Sequence, residues 1–267
     1  MLSFGLNKKG AKFCNFPCTC STQTITKGLF INNHTDFGMR RIIFNGKKGT
    51  CNSTIRPPSW ETAITIKDGG SISNLILGSS PIGTAYDIQC LGSCTLKNVF
   101  WENTCWRGAS FRAQNDFIKK NTLLDNEKYT YIVDGGGALD GLSKIFLQTG
   151  PGKTIVKNFC AANCEIGLRS CGACLNQYQR DLTVVDSKFM GPGITIIGPN
   201  QQYRDKVTLG NVSVYGYNNK STRTMFACSE CLGESAKNKW AYSYEPGKPG
   251  TSNYSCNYPA SAVKVIN

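Results

Sequence analysis

Residues 72–77 read ISNLIL and residues 95–100 read TLKNVF, two short apolar runs each interrupted by an asparagine. The form returns in FIKKNTL at 117–123, TIVKNF at 154–159, LTVVDSKF at 182–189 and VTLGNVSV at 207–214. The interrupting residues are Asn74, Asn98, Asn121, Asn158, Asp186 and Asn211, at spacings of 24, 23, 37, 28 and 25. A unit of roughly 20–30 residues made of short strands cannot bury its apolar face alone, so it stacks on its neighbours as a solenoid. Period-2 patterning turns one side of each strand inward, and an amide recurring at one corner can form a ladder up the stack. A β-sandwich also spaces its strands regularly, but it gives no reason for an amide at the same place in each unit. The predicted fold is therefore all-β, a right-handed parallel β-helix over residues 36–215. The long 37-residue interval holds the turns DGGGALDG and TGPGK and is read as an extra strand or a long loop. Residues 1–35, with Cys14, Cys18 and Cys20, and residues 216–267, with Cys228, Cys231 and Cys256, are read as stapled caps on the solenoid ends. Nothing marks a second domain.

The bulk composition sets the surroundings. Fourteen cysteines in 267 residues favour disulfides and an oxidising, extracellular compartment. Five N-x-S/T sequons, at Asn33, Asn52, Asn211, Asn219 and Asn253, agree with a secreted glycoprotein. The start, MLSFGLNKKGAKFC, carries no apolar run of signal-peptide length, so the chain is read as mature or truncated. No run approaches the ~18 apolar residues of a membrane span, and no membrane association is expected. The formal net charge is +13, with Lys and Arg scattered along the chain. Such a surplus attracts polyanions, and outside the cell the natural polyanion is an acidic polysaccharide. Sequons and cysteines argue against nucleic acid. A monomer is expected.

The motifs narrow the chemistry. GLRSCGAC at 167–174 sets a C-x-x-C behind Arg169. A zinc site would need partners at finger spacing, yet the other C-x-x-C, Cys228–Cys231, lies 57 residues on and His34 is the sole histidine. A redox pair would need a βαβ setting. Disulfides are the default for Cys90, Cys94, Cys105, Cys160, Cys164, Cys171 and Cys174, with connectivity open. GPGKT at 150–154 lacks the first glycine of a phosphate loop, since Leu147 stands there. One histidine excludes imidazole-pair chemistry, and only 17 acids are present. Cationic side chains are the natural actors.

Taken in order, ETAITIKDGGSISNLILG, AYDIQCLGSCTLKNVFWENTCWRGASFR, GGGALDGLSKIF, TIVKNF and LRSCGAC resemble the small pectate lyases of polysaccharide lyase family 3, over roughly residues 25–215. The resemblance implies β-elimination of polygalacturonate, the acidic chain of pectin. A base takes the C5 proton of a uronate while calcium and cationic side chains neutralise the adjacent carboxylate. Lys144 matches the lysine of the family's D-K-V-F segment and Arg169 the arginine before S-C-G-x-C, so both are read as catalytic. The C-x-x-C becomes a staple that holds Arg169. Arg112 stands where the family has a lysine. Arg107, Arg112, Trp106 and Gln89 are read as substrate contacts, and Trp101 as core. The family's calcium ligands are replaced: Tyr86 holds one acidic position, and Trp106 and Arg107 hold a second pair. Asp87 and Glu102 are the nearby acids, and Ile166 replaces a second lysine. A hard cation needs six to eight oxygens, so the resemblance together with these replacements implies weakened or lost calcium-dependent cleavage. The alternative is a non-catalytic binder of acidic polysaccharide.

Overall fold

The computed structural model describes residues 6–46, 62–80, 88–113, 129–232 and 239–267. They form the expected parallel β-helix. Three parallel sheets run up the stack, here named front, side and rear. The front sheet joins Leu29–Ile31, Ile64–Lys67, Ile88–Leu91, Cys105–Arg112, 141–148, 164–170, Gly193–Gly198 and Thr224–Leu232. The side sheet runs from 34–36 through 70–73, 94–97 and 130–134 to Gly152–Lys157, Arg180–Val185 and Lys206–Gly210. The rear sheet ends on Val212–Tyr215 paired with Val263–Ile266. Among the described residues, Lys239–Tyr244 is the strand that joins these sheets antiparallel, beside Thr224–Leu232.

The asparagines of the repeat make the side-to-rear corner. Asn74, Asn98, Asn158, Asp186 and Asn211 all adopt left-handed backbone, with φ between 48° and 55°. Asn and Asp tolerate that region because their short polar side chains bond locally. Each bend turns the chain from one sheet to the next, and the amides then link the coils. Asn74 Nδ2 donates to the Asp36 carboxylate at 3.0 Å, and Asn98 Nδ2 to Asn74 Oδ1 at 2.8 Å. Higher up, Asn158 donates to Asp134 and Asn211 to Asp186, both at 2.8 Å. One marker differs from the reading above. Lys97 pairs with Asp134 and Val99 with Gly136, so the corner stacked on Asn98 is Gly135, at φ 78°. Glycine enters this region without cost, and no amide is needed there. Asn121 lies outside the described residues.

The core is built in rows. Ile64, Ile88, Ala109, Phe146, Leu168, Ile197 and Cys228 stand in register up the front sheet, each almost fully buried. Phe111 stacks on Phe146 and Tyr131, with centroids 5.8 and 5.1 Å apart. Trp101 is fully buried, edge-on to Phe146, and its Nε1 donates to the Gly108 carbonyl at 3.1 Å. It is a core residue. Full burial of each such side chain contributes about 1.5–3 kcal/mol.

Disulfides join Cys14–Cys160, Cys90–Cys94, Cys171–Cys174 and Cys228–Cys256, and Cys105 is also bonded. Cys164 corrects the default reading: it is a free thiol, pushed by burial up to about 12. Its Sγ lies 3.4 Å from the Ala162 carbonyl and so bonds to backbone instead. Cys18, Cys20 and Cys231 are also free. The helix Lys8–Phe13 lies on the flank of the coils, packed on Leu139, Cys160 and Ala162. Cys256, Tyr258 and Ala262 complete the core at the far end, where buried Glu230 accepts from the Ser255 and Cys256 amides at 3.0 and 2.7 Å.

Candidate functional site

The outward surface of the front sheet carries the residues singled out above. Its strands contain a doubled inward step: Ile145 and Phe146 both belong to the core. Strict alternation would send one of them outward. The doubling leaves half-exposed Lys144 on one side of the step and Leu147 on the other, and two outward rows result. The first row reads Arg107, Lys144, Ile166, Thr195, Phe226 in register. The second reads Gln89, Ser110, Leu147, Arg169, Gly198.

Arg107 and Lys144 are therefore direct neighbours on adjacent coils, about 4.8 Å apart at the backbone. Like charges at directly opposed positions disfavour one another unless other groups offset them. Lys144 Nζ bonds to Ser143 Oγ at 2.8 Å and lies 5.6 Å from the centre of the Trp106 ring. A cation over an indole face is attracted by the ring quadrupole. The Trp106 Nε1 itself is buried without a hydrogen-bond partner. An anion is the ligand this pair of cations suits.

Arg169 lies one coil above Leu147, and its setting is not an open one. It is 4% exposed. Its guanidinium sits 4.6 Å from the centre of the Trp240 ring and donates to the Cys231 sulfur. Trp240 comes from the antiparallel strand that extends the sheet beside Thr224–Leu232, and its ring reaches back over Arg169. Burial pushes the Cys231 thiol up, while Arg169 and Lys144 pull it down, so both cations lie within electrostatic reach of that sulfur. Trp240 was not singled out from sequence, and Cys231, read there as part of a stapled cap, is a free thiol. Both stand after the repeat, where no periodicity marks a partner.

The remaining positions are spread along the face. Gln89 is buried in the same row as Arg169, with Ser110 and Leu147 between them. Arg112 sits at the far end of its strand, five residues from Arg107, and its carbonyl accepts from Gly92 and Tyr131. The C-x-x-C is a disulfide, as expected, and the loop it closes is anchored by a residue the sequence reading passed over. Arg180, fully buried, donates to the carbonyls of Thr149, Gly150 and Cys171 and to Ser170 and Gln177. Asp205 beside it accepts from the Arg180 and Asn200 amides at 2.9 and 2.7 Å. Burial holds the Asp205 carboxyl above its usual range, against the pull of Arg180.

Of the residues read above as standing at the family's calcium positions, Trp106 and Arg107 carry no carboxylate. Glu102 is taken by Arg41, whose Nε bonds to both carboxylate oxygens at 2.8 Å, and the Ser79 amide donates to Oε2 at 3.1 Å. Glu102, read above as a nearby acid, is thus a buried carboxylate engaged by a guanidinium. Among the described residues no three His, Cys, Asp or Glu side chains gather closely enough to share an ion. Tyr86 and Asp87 lie outside the described residues.

Residues 14–233 match the family model described as pectate lyase. A probable pectate lyase E of Aspergillus clavatus is 26% identical over 200 residues, 74% of this chain and 71% of that protein. A probable pectate lyase D of Emericella nidulans is 28% identical over 178 residues, 67% of this chain and 60% of its relative. The catalytic domain of pectate lyase PelI from Erwinia chrysanthemi superposes with a TM-score of 0.68 at 22% identity, covering 91% of this chain and 100% of that one. PelI in complex with tetragalacturonic acid gives a TM-score of 0.65 at 24% identity, covering 90% of this chain and 70% of PelI.

Proposed function

The chain belongs to the pectate lyase family, and from that premise we propose that it engages polygalacturonate on the front sheet, with calcium-dependent cleavage weakened or lost. The observation that carries this reading is the Arg107–Lys144 pair on adjacent coils. Two cations side by side put fixed positive charge where a uronate carboxylate can bridge them. In the family generally, calcium supplies that charge. Here the positions that would hold the ion carry Trp106 and Arg107, and Glu102 is bound to Arg41. Lys144 and Arg107 orient the acid group, Trp106 supports the ammonium and offers apolar surface to a sugar ring, and Gln89 and Arg112 extend the polar face along the coils. Arg169, closed under Trp240 against Cys231, holds the framework of the face. Disulfides and sequons favour a secreted protein, and no helix among the described residues is long and apolar enough to cross a membrane.

The test combines retention on a pectate column with product assay. Salt-sensitive retention is expected, because ionic attraction at an exposed face is screened. Unsaturated product, followed by ultraviolet absorbance, should be absent or slight with added calcium. A strong calcium-dependent rise would overturn the reading. A rise that persists in chelator would instead assign elimination to the cationic pair itself.

A further inference from the structure

Of the five sequons in the sequence, those at Asn33, Asn211, Asn219 and Asn253 lie within the described residues, and Asn52 lies outside them. Attachment of an N-linked sugar reads two groups at once, the asparagine amide and the hydroxyl two residues on. The fold treats these sequons differently. Asn211 is a corner of the coil in left-handed backbone, φ 50°, and its Nδ2 donates to Asp186 at 2.8 Å. A sugar on that nitrogen would crowd the Asp186 corner. Asn253 is exposed, but Ser255 is buried, its backbone amide donates to Glu230, and the next residue, Cys256, is bonded to Cys228. Asn33 is exposed too, yet Thr35 stands in the side-sheet row of Ile72, Leu96 and Val133, all fully buried, and so faces the core.

Asn219 differs in each respect. It lies on the loop between Val212–Tyr215 and Thr224–Leu232, and Asn219, Lys220 and Ser221 are all exposed. The loop is a fixed one. The Asn219 amide donates to the Gly216 carbonyl at 3.2 Å, the Thr222 amide to the Asn219 carbonyl at 3.0 Å, and Thr222 Oγ1 to the Gly216 carbonyl at 2.9 Å. Asn219 Oδ1 accepts from the Ser221 amide at 2.9 Å and from Ser221 Oγ at 2.8 Å. The Ser221 N–H is a donor, so the side-chain atom facing it is the oxygen. The side-chain amide is planar, so the same contact turns Nδ2 away, and no hydrogen bond among the described residues engages it.

We propose that Asn219 carries an N-linked glycan and is, among these sequons, the one the fold selects. The inference rests on the secreted reading above. In the transfer, Nδ2 loses a proton and bonds to the anomeric carbon of an N-acetylglucosamine, while that carbon's bond to a lipid pyrophosphate breaks. The lipid-linked oligosaccharide of the secretory compartment is the co-reactant, and nothing is oxidised or reduced. The turn at Asn219 presents amide and hydroxyl both before the coil closes and afterwards. At Asn33 and Asn253 folding withdraws the hydroxyl, and at Asn211 it commits the nitrogen.

Secretion of the whole chain from cultured eukaryotic cells tests this. A glycosidase that converts glycosylated Asn to Asp in heavy-oxygen water marks each occupied position for mass spectrometry of the peptides. Asn219 should be marked in most molecules, Asn33 and Asn253 in fewer, and Asn211 in none. Ser221→Ala should abolish the mark at Asn219 and Ser221→Thr should keep it; both substitutions fall on an exposed turn and leave the fold intact. Secreted protein unmarked at Asn219, marked more fully at Asn33, Asn211 or Asn253, or still marked at Asn219 in Ser221→Ala overturns the assignment. A chain that never enters the secretory route overturns the compartment reading beneath it.

Discussion

The polar corners of the solenoid and its front face use the same residue types to opposite ends. At the corners each polar group finds its partner inside the fold: Asn98 donates to Asn74, Asn158 to Asp134, and Arg180 fills its bonding capacity with carbonyls around the C-x-x-C loop. On the front face Arg107 is set beside Lys144 in register. Corners closed on themselves lower the energy of the chain alone. The front face instead sets basic side chains in register on adjacent coils. Repetition thus marks architecture, and departure from it marks the site.

The sharpest way to break the contrast is Arg180→Leu. Thr149, Gly150 and Cys171 would lose a donor, and Asp205 would keep a buried charge without its counter-ion. The expected loss is about 3–5 kcal/mol by chemical denaturation. Asn98→Val comes next, since a β-branched residue must enter left-handed backbone and the link to Asn74 is lost, at about 2–3 kcal/mol. Asn98→Gly keeps the bend and should cost about 1 kcal/mol, which separates conformation from amide bonding. On the front face the effect on stability is smaller. Lys144→Ala should change stability by no more than about 1 kcal/mol, while pectate affinity falls by roughly tenfold, read by calorimetry. The smallest effect is one of pH. The amide of Asn158, then Lys157, hold the Asp134 carboxyl below its usual range. That contribution is complete above the ordinary carboxylate value and fades as pH falls through the lower folded-state value. The Asn158 side-chain amide, followed by NMR, should exchange faster in that acid window, and Asp134→Asn should abolish the dependence.

The same division explains what the sequence disclosed. The amide positions at Asn74, Asn98, Asn158, Asp186 and Asn211 were legible because each repeats a local demand, a left-handed bend with a neighbour above or below. Gly135 was missed because glycine meets that demand without the amide that served as the marker. Lys144 and Arg107 were legible as basic residues, but their adjacency depends on coil register across the interval between Arg112 and Thr130. The cover over Arg169 was hidden, since Trp240 arrives on an antiparallel strand outside the repeat. The commitment of Glu102 was hidden too, its partner Arg41 lying 61 residues away. Long-range pairings between single side chains leave no periodic trace.

The bond between Cys14 and Cys160 spans 146 residues. The seat it reaches is made of Leu139, Cys160 and Ala162, and Lys188 Nζ, from a later coil still, caps the Phe13 carbonyl. The helix Lys8–Phe13 thus has nowhere to dock until the coils that carry Cys160 and Lys188 exist. Closing so large a ring removes about 5 kcal/mol of freedom from the unfolded chain. This helix is therefore fastened only after the coil that carries Cys160 has formed, a clasp drawn along the side of the column.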